Sequence, residues 1–422
     1  MNTIDLKLPS GAGGITAWRP GAITGAEVAL ITAADTAPIL PGLDLWDSWP
    51  LAHEDGRTAI VDGRQYWFFL SAPCFPDPGH RHNAAKIRLA SLGGDGWRDH
   101  GDCLPEGLSP GSREWAGSAV LHADGTSVSL FFTAAGRRGE GHSFEQRLFA
   151  ASGVLGSHGP GNWARCEELV RPDGPRYFVA AEEEGEGAPG MIKAFRDPAW
   201  LRDPATGQAH LLFTGSAGWD DHAYNGVIGL ATQSPDGKWQ LEDPLISAVG
   251  VNNELERPHV VLRGGRYYLF WSTQRRTFDP SGETGPNGLY AMVADALRGP
   301  YRPVNGTGLV AGNPAAEPTQ SYSWRSPGKA RCGALSTIGA CRAAALPIIP
   351  NCCASNSAEP PRRCSASPLT GTGSAWPDPH TSGSDCATAI SLCRRSQLAE
   401  RSQRAGLPRR RMASVLPVQP GR

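Results

Sequence analysis

The feature that most constrains the fold of this chain is a unit that occurs four times. In each copy, a polar motif with an acidic residue precedes a β-rich segment, a turn containing glycine and a second β-rich segment. The turns fall at Asp62-Gly63, Asp124-Gly125, Thr206-Gly207 and Gly264-Gly265. Asp-Gly and Gly-Gly between alternating apolar runs indicate β-hairpins, because both central positions tolerate a positive φ.

The spacing of these units predicts a radial β-propeller. The turn glycines lie at positions 63, 125, 207 and 265, which leaves room for four-stranded blades with loops. The first strand of each blade lines the central channel, so the four motifs converge on one axial pocket. A fifth unit begins at EPTQSYSW, residues 317–324, but no aromatic-ended hairpin follows it. We therefore expect an all-β, five-bladed β-propeller with an incomplete fifth blade.

The composition changes abruptly after Trp324, which predicts a boundary between a propeller domain, residues 1–324, and a tail, residues 325–422. The tail holds 14 Lys and Arg against 4 Asp and Glu, seven of the ten cysteines, and Trp376 as its one aromatic among Phe, Trp and Tyr. Such a change at a motif boundary is typical of a shifted reading frame. We expect the tail to be out of frame and disordered.

Two other interpretations of the tail are weaker. A zinc module is disfavoured, because the seven cysteines contain no CxxC pair with a matching second pair. A nucleic-acid-binding tail around Arg409–Arg411 is disfavoured, because no aromatic residues interleave with the basic ones. We therefore expect no nucleic-acid partner.

Three acidic residues in separate units are candidates for catalysis: Asp47 in WDSWP, Asp197 in FRDP and Glu256 in ELERPH. Two carboxyl groups about 5 to 5.5 Å apart can cleave a glycosidic bond with retention, one as nucleophile and one as acid and base. Each acid also has a structural interpretation: a turn residue for Asp47, an ion pair with Arg196 for Asp197, and a solvated charged strand for Glu256. Three independent structural explanations are less favoured than one shared function, because the motifs occupy equivalent places in their units.

At these motifs the chain resembles the levansucrase family of fructosyltransferases, glycoside hydrolase family 68, in its Gram-negative branch. The resemblance rests on WDSWP, EWAGSA, FRDP, ELERPH, YYLFWSTQ and QSYSW, in that order, and covers about residues 10 to 324. It implies a five-bladed β-propeller around a deep acidic pocket that cleaves sucrose. The fructosyl group then passes to a growing fructan, another sugar or water.

The resemblance also implies the roles of the three acids. Asp47 would be the nucleophile, Glu256 the general acid and base, and Asp197 the residue that holds the furanose hydroxyls and stabilises the transition state. An anionic Asp47 would raise the proton affinity of Glu256, while Arg196 and Arg257 would help to keep the other carboxylates ionised.

The same resemblance implies a set of substrate-binding residues around the acids. Two departures affect this set: Ala116 stands where many relatives have a serine that bonds the nucleophile, and Arg276 stands where Gram-negative relatives often have histidine. For the two indoles, core packing is the alternative interpretation. The set comprises Trp46, Trp115, Ala116, Arg196, Glu254, Arg257, Gln274 and Arg276.

We expect a sucrose-dependent fructosyltransferase that needs no cofactor, with sucrose and fructan or sugar acceptors as its partners. Some relatives bind a structural calcium ion, but these motifs assign no ligands to a metal. The alternatives are a β-fructofuranosidase and an inactive remnant that only binds sugar. We expect a monomer that acts outside the cell without a recognisable signal peptide, or in the cytoplasm if export is lost, and that has no membrane partner.

Overall fold

The strands of this protein form blades of antiparallel sheet, each continuous in sequence. The computed structural model describes residues 14–32, 35–179, 193–326 and 335–337. A short strand, β1 (Thr16–Ala17), precedes the first blade. The first blade contains β2 (Leu43–His53), β3 (Ile60–Val61), β4 (Arg64–Pro73), β5 (Lys86–Gly93) and β6 (Gly96–Asp102).

The next three blades repeat this arrangement. The second contains β7 (Arg113–Leu121), β8 (Ser127–Ala135), β9 (Gln146–Gly156) and β10 (Gly159–Glu168). The third contains β11 (Phe195–Arg202), β12 (Ala209–Ser216), β13 (Gly226–Gln233) and β14 (Trp239–Ser247). The fourth contains β15 (Glu256–Arg263), β16 (Arg266–Thr273), β17 (Gly288–Ala294), β18 (Arg302–Pro303) and β19 (Leu309–Gly312).

A fifth unit follows the fourth blade. Its strands β20 (Tyr322–Arg325) and β21 (Leu335–Thr337) pair antiparallel. The predicted incompleteness of the fifth blade and the predicted boundary after residue 324 stay predictions. The zinc, nucleic-acid and reading-frame interpretations of the tail concern residues that lie mostly outside the described part of the chain.

The first strands of the blades form a closed ring. Strand β2 pairs in parallel with β7, β7 contacts β11, and β11 contacts β15. Strand β20 contacts both β15 and β2 and so closes the ring. These features confirm the predicted all-β propeller. The described residues include the 3₁₀ helices Pro78–Asn83 and Arg275–Thr277, and none of their helices is long and apolar enough to cross a bilayer.

Two of the four predicted turns are two-residue hairpin loops. Asp62 and Gly63 have φ values of 49° and 75°, and Gly264 and Gly265 have 58° and 75°, as type I′ turns require. The turns near Gly125 and Gly207 are longer, and each glycine carries a positive φ. At Gly125 the side chain of Asp124 accepts hydrogen bonds from the backbone N–H groups of residues 126 and 127, which stabilise the longer loop.

The hydrophobic core lies between neighbouring blades. One cluster joins blades one and two around Trp49 and Phe132, another joins blades two and three around Phe213, and a third joins blades three and four around Trp271. Trp324 of β20 is buried against residues of blade four. Burial of these faces fixes the positions of the inner strands, and therefore of the motifs that they carry.

The N-terminal segment contacts blades three and four and the residues before β20. β1 pairs in parallel with β14 of blade three, and the fully buried Trp18 packs its ring 5.1 Å from that of Trp271 in blade four. Further along, Gln320 accepts a hydrogen bond from the N–H of Ile31 and donates one to the carbonyl oxygen of Ala29. The segment therefore links blades three and four to the residues that precede β20.

Candidate active site

Each inner strand is interrupted by a β-bulge at the same level. In β2, Asp47 and Ser48 lie opposite a single residue of β4, because Trp46 pairs with Leu70 and Trp49 with Phe68. The register shifts in the same way in β11, β15 and β20, after Arg196, Glu256 and Tyr322, and a smaller bulge follows Trp115 in β7. The bulges therefore place the four sequence motifs, and a fifth one, at equivalent positions.

Four of the bulges hold a non-glycine residue in the left-handed region. The φ values are 48° for Asp47, 62° for Asp197, 52° for Arg257 and 61° for Ser323. Such conformations cost on the order of 1–3 kcal/mol each and concentrate at functional sites. Four equivalent strained positions around one ring indicate a site at this level of the channel.

The structure brings the three predicted acids together through two arginines. The guanidinium of Arg257 lies 3.6 Å from Oδ1 of Asp47, and its backbone N–H donates to Oδ2 of Asp197 at 3.1 Å. The guanidinium of Arg196 donates to Oε1 of Glu256 at 2.7 Å and lies 3.8 Å from Asp197. Acids from the first, third and fourth blades therefore share one charged cluster.

Arg196 is the centre of this cluster. Besides Glu256 it contacts Glu254 at 3.1 Å, and its side chain also donates to Gln146 at 3.3 Å. Burial alone would lower the pKa of the guanidinium, but the carboxylates of Glu254, Glu256 and Asp197 raise it above its ordinary value. Arg196 therefore stays charged and can fix the carboxylates around it.

Glu256 is in an environment that favours its protonated form. Burial, followed by the negative charge of Glu254, raises its pKa to about 8, against the opposing effect of Arg196. Its Oε2 is buried and has no hydrogen-bond partner among the described residues. A carboxyl group that is neutral near pH 7, with one oxygen unpaired, can donate a proton to a bound sugar.

Asp197 is held more rigidly than the other two acids. Its Oδ2 accepts hydrogen bonds from Thr214 and from the backbone of Arg257, and its own N–H donates to Thr133. Burial raises the pKa of Asp197, and although Arg196 and Arg257 lower it, they do not offset burial. The arginines thus act in the expected direction, but burial has the largest influence on both Asp197 and Glu256. The charges that raise the pKa of Glu256 are those of Glu254 and Asp197, whereas Asp47 acts on Asp197.

The acids differ in how far solvent reaches them. The side chain of Asp47 is 23% exposed, that of Glu256 is 16% exposed and that of Asp197 is 7% exposed. The side chains of Asp47 and Glu256 are thus more exposed than that of Asp197. This arrangement suits one nucleophile, one proton donor and one fixed charge.

The two predicted indoles lie at equivalent bulge positions but differ in burial. Trp46 is 3% exposed within the core of blades one and two, under the guanidinium of Arg81, whereas Trp115 is half-buried beside Arg113. Neither indole N–H has a hydrogen-bond partner among the described residues. Both indoles therefore pack against the core and still have an unused donor.

The remaining predicted residues lie around this cluster. The methyl group of Ala116 is buried at the second-blade bulge, and its carbonyl accepts from Thr133. Gln274 accepts a hydrogen bond from the exposed Arg276 at 2.9 Å. Among the described contacts, the side chains of Ala116, Gln274 and Arg276 make no hydrogen bond or ion pair with an acid of the cluster. The structure therefore leaves all three outside it.

The sequence interpretation missed several residues of the site. Tyr322 and Ser323 occupy the fifth bulge, and the hydroxyl of Tyr322 is buried without a partner among the described residues. The segment EPTQSYSW indicated the start of a fifth unit. Because no hairpin pattern follows it, the sequence did not predict where Tyr322 and Ser323 lie relative to the site. Thr133, Thr214 and Gln146 bond to the cluster from second and third strands, where the sequence gives no signal.

The described residues contain no group of three or more His, Cys, Asp or Glu side chains that could hold a metal ion. A cavity of about 90 Å³ is lined by residues that follow the bulges, among them His53, Ala119, Leu201 and His259. None of the three acids lines it, so this cavity is distinct from the charged cluster.

Comparisons with known proteins give a consistent result. A family profile described as levansucrase/invertase matches residues 23–227 and 220–327. The chain is 30% identical to the levansucrase of Rahnella aquatilis over 342 residues, which cover 69% of this chain and 78% of that protein.

Two solved structures share the fold. Inulosucrase from Halalkalicoccus jeotgali bound to kestose superposes with a TM-score of 0.65 and 40% identity, covering 74% of this chain and 80% of that one. Bacillus subtilis levansucrase in complex with oligosaccharides has a TM-score of 0.64 and 22% identity, covering 74% and 84%.

Proposed function

Because the chain belongs to the levansucrase and invertase family, glycoside hydrolase family 68, we propose that it cleaves sucrose by a retaining double displacement with Asp47 as the nucleophile. The chain is a sucrose-acting fructosyltransferase. The roles of individual residues are inferred from the charged cluster around Arg196 and Arg257.

In the first step, the carboxylate of Asp47 attacks C2 of the fructosyl unit. The bond from C2 to the glucosyl oxygen breaks, and Glu256 transfers its proton to that oxygen, so that glucose leaves and a fructosyl ester forms on Asp47. The raised pKa of Glu256, about 8, supports its role as the proton donor near neutral pH.

In the second step, Glu256 acts as a base. It takes a proton from the hydroxyl of a sugar acceptor or of water, whose oxygen attacks C2 and releases Asp47 as a carboxylate. Asp197, fixed by Thr214 and by the backbone of Arg257, stabilises the positive charge that develops on the furanose ring.

The observation that carries this proposal is the meeting of three carboxyl groups from three blades around two arginines. In an ion-pair cluster that served only stability, we would expect the carboxylates to be fully paired. Here Asp47 is partly exposed and one oxygen of Glu256 has no partner among the described residues. Both features suit a site that receives a sugar.

The test is glucose release from sucrose by the wild-type chain and by Asp47→Asn. We expect release by the wild type and a loss of at least about 10³-fold in the variant, since no ester can form. Asp62→Asn, a similar change in a hairpin turn of the same blade, should retain activity. A wild-type chain that releases no glucose, although folded, would support the inactive sugar-binding remnant instead.

Product analysis separates transfer from hydrolysis. Fructan or kestose would identify sugar acceptors, whereas equal free glucose and fructose would identify water. Arg276 is exposed and bonded to Gln274, so Arg276→His should alter the ratio of products more than the rate of glucose release. A ratio that stays the same would exclude Arg276 from the acceptor side.

We also propose that the protein acts as a monomer outside the cell, on sucrose and sugar acceptors and without nucleic-acid or membrane partners. The proposal rests on the chemistry of the site, which needs only soluble sugars. Size-exclusion chromatography with light scattering and assay of culture supernatant against cell lysate would test it. A dimer, or activity confined to the lysate, would contradict it.

A further inference from the structure

We propose that Ser323, delivered by the fifth inner strand, is a positioning residue for the nucleophile and acts through Arg257. The inference rests on the proposed role of Asp47. It assigns to strand β20 a function that none of the four repeated motifs supplies.

The guanidinium of Arg257 forms an ion pair with the carboxylate of Asp47. Among the described residues, Arg257 is the ion-pair partner of the Asp47 carboxylate, which accepts no hydrogen bond from any of them. The orientation of the nucleophile therefore depends on where the guanidinium of Arg257 is held.

Two anchors hold that guanidinium. One nitrogen donates to the backbone carbonyl of Ser48 at 2.6 Å, and the nitrogen nearest to Asp47 donates to the hydroxyl of Ser323. An arginine side chain is flexible, and its planar group needs fixed acceptors to keep one orientation. Without the Ser323 hydroxyl, the nitrogen that faces Asp47 would lose the hydrogen-bond acceptor that it has among the described residues.

Ser323 is itself held firmly, and away from solvent. It is 3% exposed, and its neighbour Trp324 donates its N–H to Ser272 of blade four at 2.9 Å. On the other side, Ser321 exchanges hydrogen bonds with Asn313, also of the fourth unit. A buried side chain in this position supports the site indirectly, through the arginine.

The experiment measures single-turnover glucose release from sucrose with the enzyme in excess. At saturating enzyme, the rate constant does not depend on the fraction of protein that is folded. We expect Ser323→Ala and Ser323→Gly to lower this rate constant by about tenfold, as a small misplacement of a reacting group does. Glycine tolerates the φ of 61°, so equal losses in the two variants would separate the hydroxyl from backbone strain.

A double-mutant cycle tests the route through Arg257. In an Arg257→Met background, removing the Ser323 hydroxyl should change the rate constant by less than about twofold, because the side chain at position 257 then has no donor for it. Additive losses would overturn the proposal, as would an unchanged rate constant in Ser323→Gly.

Ser321→Ala is the matched control. Its hydroxyl bonds to Asn313 and not to the site, so it should lower the melting temperature and leave the rate constant unchanged. An equal fall in the rate constant of Ser321→Ala would assign the effect to the strand and overturn the role of Ser323. Absence of glucose release by the wild type would refute the proposed function, and this inference with it.

Discussion

At the scale of single residues, the proposed role of Glu256 as the proton donor predicts how activity depends on pH. In that role its carboxyl group must be protonated, and burial raises its pKa to about 8. On the basic side, we therefore expect kcat/KM for sucrose to fall as the pH rises through about 8. Because the charge of Glu254 contributes to the raised pKa, Glu254→Gln should move this basic limb to lower pH. If the pH at which kcat/KM falls does not change in Glu254→Gln, a group other than Glu256 causes the fall.

A second buried carboxyl group, that of Glu114, should make the stability depend on pH. Glu114 is buried next to the second-blade bulge and accepts a hydrogen bond from the N–H of Ile87; burial raises its pKa to about 7. Because the folded pKa exceeds the unfolded value near 4.5, its contribution is fully present below pH 4.5 and is lost as the pH rises through about 7. Glu256 contributes with the same sign.

Urea unfolding between pH 4.5 and pH 8 would measure this effect. We expect the free energy of unfolding to fall over this range by on the order of 2 to 3 kcal/mol because of Glu114. Glu114→Gln keeps an acceptor for Ile87 and should flatten the profile. An equal slope in the variant would remove Glu114 as the cause.

The sequence allowed the acids to be predicted but not their environment. Asp47, Asp197 and Glu256 stand in motifs that occupy equivalent places in repeated units, so their convergence could be expected. The threonines at 133 and 214 and the glutamine at 146 could not be found, because they belong to ordinary buried strands and bond to the cluster only after blades pack. Burial, which determines the pKa of Glu256, is likewise a property of the assembled ring.

At the scale of elements, the bulges depend on close backbone approach. Gly117 follows the bulge in β7, and a Cβ at this position would lie 1.9 Å from the carbonyl oxygen of Phe131 on the paired strand. Gly117→Ala must therefore displace backbone, and we expect a loss of at least about 1–3 kcal/mol in the free energy of unfolding. Gly94→Ala, where a Cβ meets open space, should be nearly neutral.

Thermal unfolding of both glycine variants would measure the difference. Equal melting temperatures would show that the second blade accommodates the methyl group. The clash also explains why the EWAGSA motif contains glycine at this point, a reason that the sequence pattern could not supply. The two-residue hairpin turns, by contrast, could be predicted from the sequence, because Asp-Gly and Gly-Gly loops determine the register of a hairpin.

At the scale of the whole molecule, the N-terminal segment holds blades together. Trp18 is fully buried among Trp271, Tyr290 and Phe278, and its indole N–H donates to the carbonyl of Thr307. Trp18→Ala should cost about 3–5 kcal/mol of unfolding free energy, whereas Trp18→Phe should cost less because most of the contact area remains.

Denaturant unfolding followed by circular dichroism would test this prediction. The single-turnover rate constant of the remaining folded protein should be unchanged, because Trp18 does not touch the acids. A fall in that rate constant would mean that the segment also determines the geometry of the site. The sequence alone gave no indication of this role, since the segment before the first repeat lacks the repeated pattern.

The order of the strands around the ring affects how the protein is made. A nascent chain exposes Asp47 early, whereas Ser323 and the β20 strand leave the ribosome only after all four complete blades. Until then, the Arg257 guanidinium lacks one of its anchors and the ring between β15 and β2 stays open. Polypeptides released before residue 320 should accumulate as partly folded species prone to self-association, while those that extend past Trp324 can close the ring.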